Sequence, residues 1–207
     1  MNLFSLLNSR PKPITIGIIS AGKFATMFFA QALKIPSIHI VGVVDLYPEN
    51  ARSNMQMVGW DPSAFETINL SNSFSTGKTF ISDNWEALVS HQSIEIIIEC
   101  TGNPIAAVQH CLSAFKNQKN VINVTVEADA FCGYALSQKA KNAGVIYSMA
   151  YGDQPALTCE LVDWARNGKN FKRFPQNIAN AILKRPSPYT FNNVVVTWNG
   201  SKIVSNM

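Results

Sequence analysis

From Ile14 to Met149, short runs rich in β-branched residues alternate with longer segments of helical periodicity. This alternation constrains the fold more than any other feature of the sequence. The six runs span residues 14–20, 38–45, 79–82, 94–100, 120–125 and 145–149. All but the short third run are nearly continuous in apolar residues, as is typical of strands that are covered on both faces. The alternation predicts repeated βαβ units and therefore a parallel, doubly wound α/β sheet.

Four segments between the runs have the apolar spacing of helices, namely residues 23–33, 84–89, 104–117 and 128–142. Pro104 suits a first helical turn because its missing N–H would have no helical partner there, and Gly144 ends the last segment. Residues 59–77 interrupt the pattern with Asp61-Pro62 and a run of Ser, Asn and Thr, which predicts a loop insertion.

Composition and charge limit the kinds of function that are expected for this chain. The 207 residues are 47% hydrophobic and 14% charged, which is enough for one core-forming domain and a small appendage. The net charge is +4, but Lys and Arg are scattered, so no nucleic-acid partner is expected. No stretch approaches the ~18 apolar residues of a membrane span, and the four cysteines lack CxxC spacing, so a cytoplasmic protein without membrane partners is predicted. The three histidines lack ligand spacing, so no metal site is predicted.

The first run leads into a loop with an incomplete G-x-G-x-x-G pattern, whose three positions fall on Ser20, Gly22 and Ala25. Gly22 would let the backbone approach a pyrophosphate at the N-terminus of the following helix, and Ala25 is small enough for helix against strand packing. Ser20 departs from the pattern and must make a tight turn at a conformational cost. With Lys23 and Phe24 these residues form a candidate dinucleotide-binding loop; an incidental strand-to-helix turn is the alternative.

Asp45 ends the second run, 23 residues after Gly22. This is close to the spacing of about 20 residues at which a carboxylate accepts hydrogen bonds from the adenosine ribose. Its alternative role is a loop or capping carboxylate. A carboxylate suits the free 2'-hydroxyl of NAD and opposes the 2'-phosphate of NADP, although Arg52 lies a few residues on. NAD or NADP is therefore the expected cofactor, with NAD preferred.

The fourth run ends in a polar segment. Thr101, Gly102 and Asn103 follow it, where the carboxyl end of a strand meets a helix start. They could hold a nicotinamide ribose or a phosphate, since ligands of open α/β sheets bind at this edge. A plain helix N-cap at Asn103 is the alternative. Glu99, inside the apolar run, has no evident role.

Candidates for catalysis are few. Glu127 follows the fifth run and Asp153 follows the sixth, so both would face the crevice at the carboxyl edge of the sheet. Hydride transfer to a carbonyl needs a proton donor or an electrostatic stabiliser there. Each residue has a simpler interpretation: Glu127 as an acidic residue at a helix N-terminus and Asp153 as a turn residue.

The chain changes character after Met149, which suggests a division into residues 1–13, 14–150 and 151–207. Residues 156–167 have helical spacing, and residues 194–198 and 201–204 flank Asn199-Gly200, a strong signal for a two-residue hairpin. A short C-terminal extension of a helix and a β-hairpin is therefore predicted. Its apolar residues favour packing or self-association, and a homodimer is expected.

Five motifs together resemble the homoserine-dehydrogenase-like oxidoreductases, within them the branch of 1-deoxy-xylulose-5-phosphate-reductoisomerase-like enzymes that usually carry a SAF domain. The motifs are GIISAGKFATMF at 17–28, VVD at 43–45, ECTGNP at 99–104, VTVEAD at 124–129 and YGDQPALTCELVDW at 151–164. The resemblance covers roughly residues 12–170. It implies a Rossmann-type domain that binds a nicotinamide dinucleotide through residues 20–24, Asp45, residues 101–103 and the turn at 126–127.

The resemblance also implies hydride transfer to or from a small carbonyl or hydroxy substrate. The family continues into a substrate domain, which the sequence after Gly168 does not follow. Three interpretations therefore stand: an active NAD(P)-dependent oxidoreductase, which is favoured; a dinucleotide-binding remnant or regulatory protein without turnover; and an unrelated Rossmann-like domain.

Overall fold

A computed structural model describes residues 10–150 and the backbone of three strands at 190–191, 194–198 and 203–206. The chain divides into two units, Met1–Ala150 and Tyr151–Met207. The strands of the first unit are β1 (Ile14–Ile19), β2 (Ile38–Val44), β3 (Phe80–Ser82), β4 (Ile96–Glu99), β5 (Asn120–Asn123) and β6 (Tyr147–Met149). They form one six-stranded sheet in the order β3-β2-β1-β4-β5-β6, and all five neighbouring pairs are parallel.

This strand order is that of the Rossmann-type doubly wound sheet, so the predicted α/β fold is confirmed. The helices are α1 (Lys23–Ala32), α2 (Pro48–Met57), α3 (Leu70–Thr76), α4 (Trp85–Ser90), α5 (Pro104–Lys116) and α6 (Val126–Ala143), with a 3-10 helix at Pro62–Phe65. The chain order reverses between β1 and β4. In open α/β sheets, ligands bind at such a switch point, at the carboxyl ends of the strands.

Two hydrophobic cores cover the two faces of the sheet. One core contains Phe29 of α1 and Met55 of α2, and the other contains Leu88 of α4 and Leu136 of α6. The helices press closely on the central strands: a Cβ on Gly42 of β2 would lie 2.5 Å from Leu88 Cδ1. Burial on both faces explains why β1, β2 and β4 appear in the sequence as continuous apolar runs.

The loop insertion expected at residues 59–77 is wrong. That segment contains the 3-10 helix and α3, which bury Phe65 and Leu70. The polar residues that suggested a loop are helix caps: Asp61 accepts a hydrogen bond from the Ser63 N–H, and Asn69 accepts one from the Asn72 N–H.

Helix α2 was not among the predicted helices either. It begins with Pro48 at its first position and buries Ala51 and Met55, four residues apart on one face. Two apolar contacts in a polar stretch give too weak a periodic signal to predict a helix. Within the described residues, no helix is long and apolar enough to cross a bilayer.

The second unit contains a three-stranded antiparallel sheet of β7 (Thr190–Phe191), β8 (Val194–Trp198) and β9 (Ile203–Asn206). Strands β8 and β9 pair as the expected hairpin, but Trp198 lies opposite Ile203, so residues 199–202 connect them and the predicted two-residue turn is wrong. The observed register places Trp198 across from an apolar residue, whereas the predicted one would place it across from Ser201. The predicted helix at 156–167 lies outside the described residues.

Candidate functional site

The candidate site is the carboxyl edge of strands β1, β2, β4 and β5. Parallel strands all end at the same edge, so the loops that follow these four strands are brought together there. Ser20, Asp45, Cys100 and Thr125 lie in those loops, after β1, β2, β4 and β5 respectively.

Ser20 makes the turn out of β1 with φ of 80°, in the left-handed region that L-residues other than glycine rarely adopt. Three contacts hold the turn. The Ser20 N–H donates to the Val44 carbonyl at 2.7 Å, and the Cys100 thiol lies 3.2 Å from the carbonyl oxygens of both Ile19 and Ser20. The conformational cost expected at the first position of the glycine pattern is therefore present.

Gly22 is the N-cap of helix α1 and has an ordinary negative φ of −69°. The nearest heavy atom to a Cβ placed on it would be Ser20 Oγ at 3.8 Å. Neither the backbone conformation nor the packing of the protein requires glycine here. A glycine that leaves open space at a helix N-terminus, with no side chain capping that helix, is what close approach by an anionic ligand requires.

Lys23 and Phe24 occupy the first turn of α1, and both are exposed, with Phe24 at 41% of its possible surface. The first N–H groups of a helix have no partners within it and carry partial positive charge. The Lys23 ammonium adds a full positive charge next to Gly22, which favours an anion at this position.

Asp45 joins two loops of the site. Its Oδ2 accepts a hydrogen bond from the Ala21 N–H at 2.8 Å, and its Oδ1 accepts one from the Tyr47 N–H at 3.0 Å. Each carboxylate oxygen can accept a second hydrogen bond. Asp45 is thus a loop-bracing carboxylate that retains capacity for a ligand hydroxyl.

Asn54, on α2, was not predicted as part of the site. Its side-chain Nδ2 donates to the Ala21 carbonyl at 2.7 Å, so Asp45 and Asn54 hold the Ala21 residue through its N–H and its carbonyl. Neighbouring Arg52 points its Nε toward Glu49 Oε1 at 3.5 Å. Because α2 itself was not predicted, the sequence could not place either side chain.

The loop after β4 is held by its own side chains. Asn103 caps α5, with its Oδ1 accepting from the N–H groups of Ile105 and Ala106 at 3.1 Å each, so the capping alternative describes it. Gly102 has φ of +68°, which glycine adopts without strain. The Thr101 hydroxyl donates to Glu99 Oε1 at 2.6 Å.

Glu99, the last residue of β4, is fully buried. Its Oε1 also accepts from the Thr101 N–H at 3.3 Å and lies 3.2 Å from His110 Nδ1, and its Oε2 accepts from the Thr125 hydroxyl. The His110 ring lies against Trp85, with the ring centroids 4.7 Å apart. A buried carboxylate needs such donors. In the sequence, this buried network is indicated only by the presence of an acidic residue within an apolar run.

Polar contacts continue from Thr125 to Tyr147, the first residue of β6. Asn123 accepts from the Thr125 N–H and donates to the Tyr147 hydroxyl, which in turn donates to Asp129 Oδ1 at 2.9 Å. Burial, and then the hydrogen bond to the Asp129 carboxylate, raise the pKa of Tyr147 above its ordinary value, although the Asn123 donor opposes them. Tyr147 is therefore a neutral, structural hydrogen-bond donor.

The predicted cofactor-binding residues all lie at this one edge, on three loops and, for Lys23 and Phe24, in the first turn of α1. Glu127 lies in the first turn of α6 and is half-buried; its loop is joined to the loop after β4 where the Gly102 N–H donates to Thr125 Oγ1 at 3.0 Å. Asp153 lies outside the described residues. Within residues 10–150, no cluster of three or more His, Cys, Asp or Glu side chains is placed to hold a metal ion.

No protein-family model and no curated protein sequence matches the chain. Solved structures do match it. An NAD-binding oxidoreductase from Klebsiella pneumoniae aligns at 16% identity and a TM-score of 0.50 over 75% of this chain. A homoserine dehydrogenase from Thiobacillus denitrificans aligns at 18% and 0.51 over 78%, and a scyllo-inositol dehydrogenase from Lactobacillus casei at 16% and 0.50 over 76%.

The chain spans 39%, 34% and 43% of the length of those three proteins, respectively. At identities of 16 to 18% the likeness shows the fold alone. The first unit therefore has the Rossmann-type α/β fold found in NAD-binding oxidoreductases.

Proposed function

We propose that residues 14–150 bind NAD or NADP along the carboxyl edge of the sheet, and that the protein transfers a hydride between this cofactor and a small carbonyl or hydroxy compound. The observation that carries the proposal is Gly22: it leaves open space at the N-terminus of α1, beside a carboxylate that retains acceptor capacity. This arrangement favours the two interpretations in which the chain binds a dinucleotide over an unrelated Rossmann-like domain.

The pyrophosphate of the dinucleotide fits at Gly22. Ser20 turns the chain out of β1, Gly22 leaves room for the phosphate oxygens, and the N–H groups of the first turn of α1, with Lys23, supply the positive charge. Asp45 and Asn54 hold Ala21, so the loop is ordered before the ligand arrives. A preorganised loop loses less conformational entropy on binding.

Asp45 accepts hydrogen bonds from the adenosine ribose in this proposal. A 2'-phosphate would be repelled by its charge unless a cation compensated. Arg52 is the cation that the spacing offers, and it pairs with Glu49 on an exposed helix surface, where ion pairs are weak enough to be exchanged. NAD is therefore the preferred cofactor, and NADP requires Arg52 to leave Glu49.

The nicotinamide end lies toward the loops after β4 and β5. The resemblance to homoserine-dehydrogenase-like enzymes assigns the turn at 126–127 to the dinucleotide and the substrate to the domain that follows. Glu127 is our candidate for the group that donates or accepts the proton as the hydride moves, and Asp153 is the second candidate. Cytoplasmic location and a homodimer remain predictions.

Dinucleotide binding without turnover is the second candidate function. It is favoured by the position of Glu127 in the first turn of α6, where an acidic side chain interacts favourably with the helix dipole whether or not it takes part in chemistry.

A turnover assay separates the two functions. The full chain is incubated with NADH or NADPH and a panel of aldehydes, ketones and oxo acids, and loss of the reduced nicotinamide absorbance is followed. Turnover that falls at least about a hundredfold in Glu127→Gln, the lower end of general acid catalysis, supports the enzyme. Tight cofactor binding without turnover on any substrate supports the second function.

A further inference from the structure

Glu99 has no role in the proposed function so far, although it is the most completely hydrogen-bonded carboxylate at the site. It is fully buried, and four donors or rings point at its two oxygens: the N–H and hydroxyl of Thr101, the hydroxyl of Thr125 and the ring of His110. A carboxylate held in this way also fixes the backbone segments to which its hydrogen-bond donors belong.

The partners of Glu99 are attached to the backbone of the loop after β4. The Gly102 N–H donates to Thr125 Oγ1 at 3.0 Å, and the Asn103 N–H donates to Thr101 Oγ1 at 3.2 Å. Both threonine hydroxyls use their own protons on Glu99. The N–H groups of three consecutive residues, 101 to 103, are thereby directed at the Glu99 carboxylate, one directly and two through a threonine.

The carbonyl oxygens of the same peptides must point the other way. In a planar trans peptide the C=O and the following N–H lie on opposite sides of the chain. With the N–H groups of Gly102 and Asn103 turned inward, the carbonyl oxygens of Thr101 and Gly102 turn outward at this exposed loop. Within residues 10–150, neither oxygen accepts a hydrogen bond from the protein.

This orientation is opposite to that of the loop at Gly22. There, N–H groups at a helix N-terminus face outward and suit a phosphate. Here, the N–H groups that could bind an anion are used by the protein's own carboxylate, and α5 is capped by Asn103. Carbonyl oxygens to which none of residues 10–150 donates repel phosphate and accept hydrogen bonds from hydroxyl groups.

We propose that Glu99 is a positioning residue that turns the loop after β4 into a hydrogen-bond acceptor for the hydroxyl groups of the nicotinamide ribose. This inference rests on the proposed function and deepens it, because it assigns the sugar, and not a phosphate, to residues 101–103. Thr125 transmits the effect. It is buried and has no surface to offer a ligand, so its influence on binding must pass through the loop.

The test compares NADH with ADP on the full chain by calorimetric titration. ADP occupies the Gly22 and Asp45 part of the site and serves as the internal control. Thr125→Val, which keeps the shape of the side chain but removes the hydroxyl, should weaken NADH about tenfold, the equivalent of one hydrogen bond, and leave ADP unchanged. Thr125→Ser keeps the hydroxyl and should restore the wild-type affinity for NADH.

An equal effect of Thr125→Val on NADH and ADP, or no effect on either, would overturn the inference while leaving dinucleotide binding intact. A second measurement uses the wild-type chain alone, in case the valine variant does not fold. An NAD analogue that lacks the hydroxyl groups of the nicotinamide ribose should bind about tenfold more weakly than NAD, and equal affinity would also overturn the inference. A wild-type chain that binds neither ADP nor NADH would instead contradict the proposed function itself.

Discussion

Ser20 has a backbone conformation that favours glycine, whereas Gly22 has one that any residue can adopt. Ser20 adopts a left-handed φ of 80°, where glycine is at ease, whereas Gly22 has a φ of −69° that every residue adopts. The backbone of Ser20 is therefore strained in the unliganded protein, and nothing in the fold requires a glycine at position 22. At the scale of single residues, these two departures from what folding requires mark the loop as functional.

Ser20→Gly should relieve the strain and Ser20→Ala should not. A non-glycine residue in the left-handed region costs about 1–2 kcal/mol, so we expect the glycine variant to be about 1 kcal/mol more stable than the alanine variant. Both remove the hydroxyl, so the comparison isolates the backbone. Urea unfolding of the two variants measures the difference, and an alanine variant at least as stable as the glycine variant would contradict the strain.

Asp45→Ser should move the cofactor preference toward NADPH. The substitution removes the charge that opposes a 2'-phosphate and a charge-assisted hydrogen bond to the ribose, which together correspond to about 1–3 kcal/mol in the ratio of NADH to NADPH affinities. Asp61→Ser is the matched control, because Asp61 is exposed and accepts a hydrogen bond from the Ser63 N–H at a helix start outside the site. If the two variants show the same affinity ratio as the wild type, Asp45 only braces the loop.

At the scale of elements, the runs in the sequence were enough to predict all six strands of the parallel sheet. The signal is strongest for β1, β2 and β4, which are almost wholly buried, because burial on both faces requires a continuous apolar run. Helices α2 and α3 were missed for the opposite reason. They are short and mostly polar, and their caps resemble loop residues.

The contacts within the site were harder to predict than the loops that hold it. Ser20, Gly22 and Asp45 follow local rules of spacing. The partners of Glu99 come from an adjacent turn, from a helix 11 residues away and from a loop 26 residues away. The register of the parallel strands brings these partners to Glu99, and no local sequence pattern predicts such a meeting.

Asn69→Ala should destabilise the protein by about 1 kcal/mol, the usual loss for a helix N-cap. Asn69 Oδ1 accepts from the Asn72 N–H at 2.8 Å at the start of α3, the helix that replaces the expected loop. Asn69→Ser, which caps a helix about as well as Asn, is the control and should be close to the wild type in stability. Thermal unfolding compares the variants. An alanine variant as stable as the serine variant would show that α3 does not depend on its cap.

At the scale of the whole molecule, the first unit has the fold that the matched oxidoreductases also have. The second unit contains the three-stranded sheet. The described strands of the second unit form a small sheet of three short strands, and the sequence of residues 171–207 contains many apolar residues. A small sheet in an apolar segment favours pairing with another chain.

The full chain is therefore predicted to be a dimer in solution. Size-exclusion chromatography with light scattering should give twice the mass of 22.8 kDa for the full chain, and the chain mass for a version that ends at Gly168. A monomeric full-length chain would refute the dimer. A shortened chain that is still dimeric would place the interface in the remaining residues.

Dinucleotide binding at Gly22 is the central claim, and calorimetric titration of the wild-type chain, Gly22→Ala and Gly22→Val with NADH and NADPH tests it most directly. A Cβ at Gly22 meets open space in the free protein, so Gly22→Ala should unfold near the wild-type temperature, which serves as the control for folding. We expect the wild type to bind at least one of the two cofactors, the alanine variant to bind more weakly and the valine variant not at all. A wild-type chain that binds neither cofactor at millimolar concentration, or a valine variant with wild-type affinity, would contradict the account.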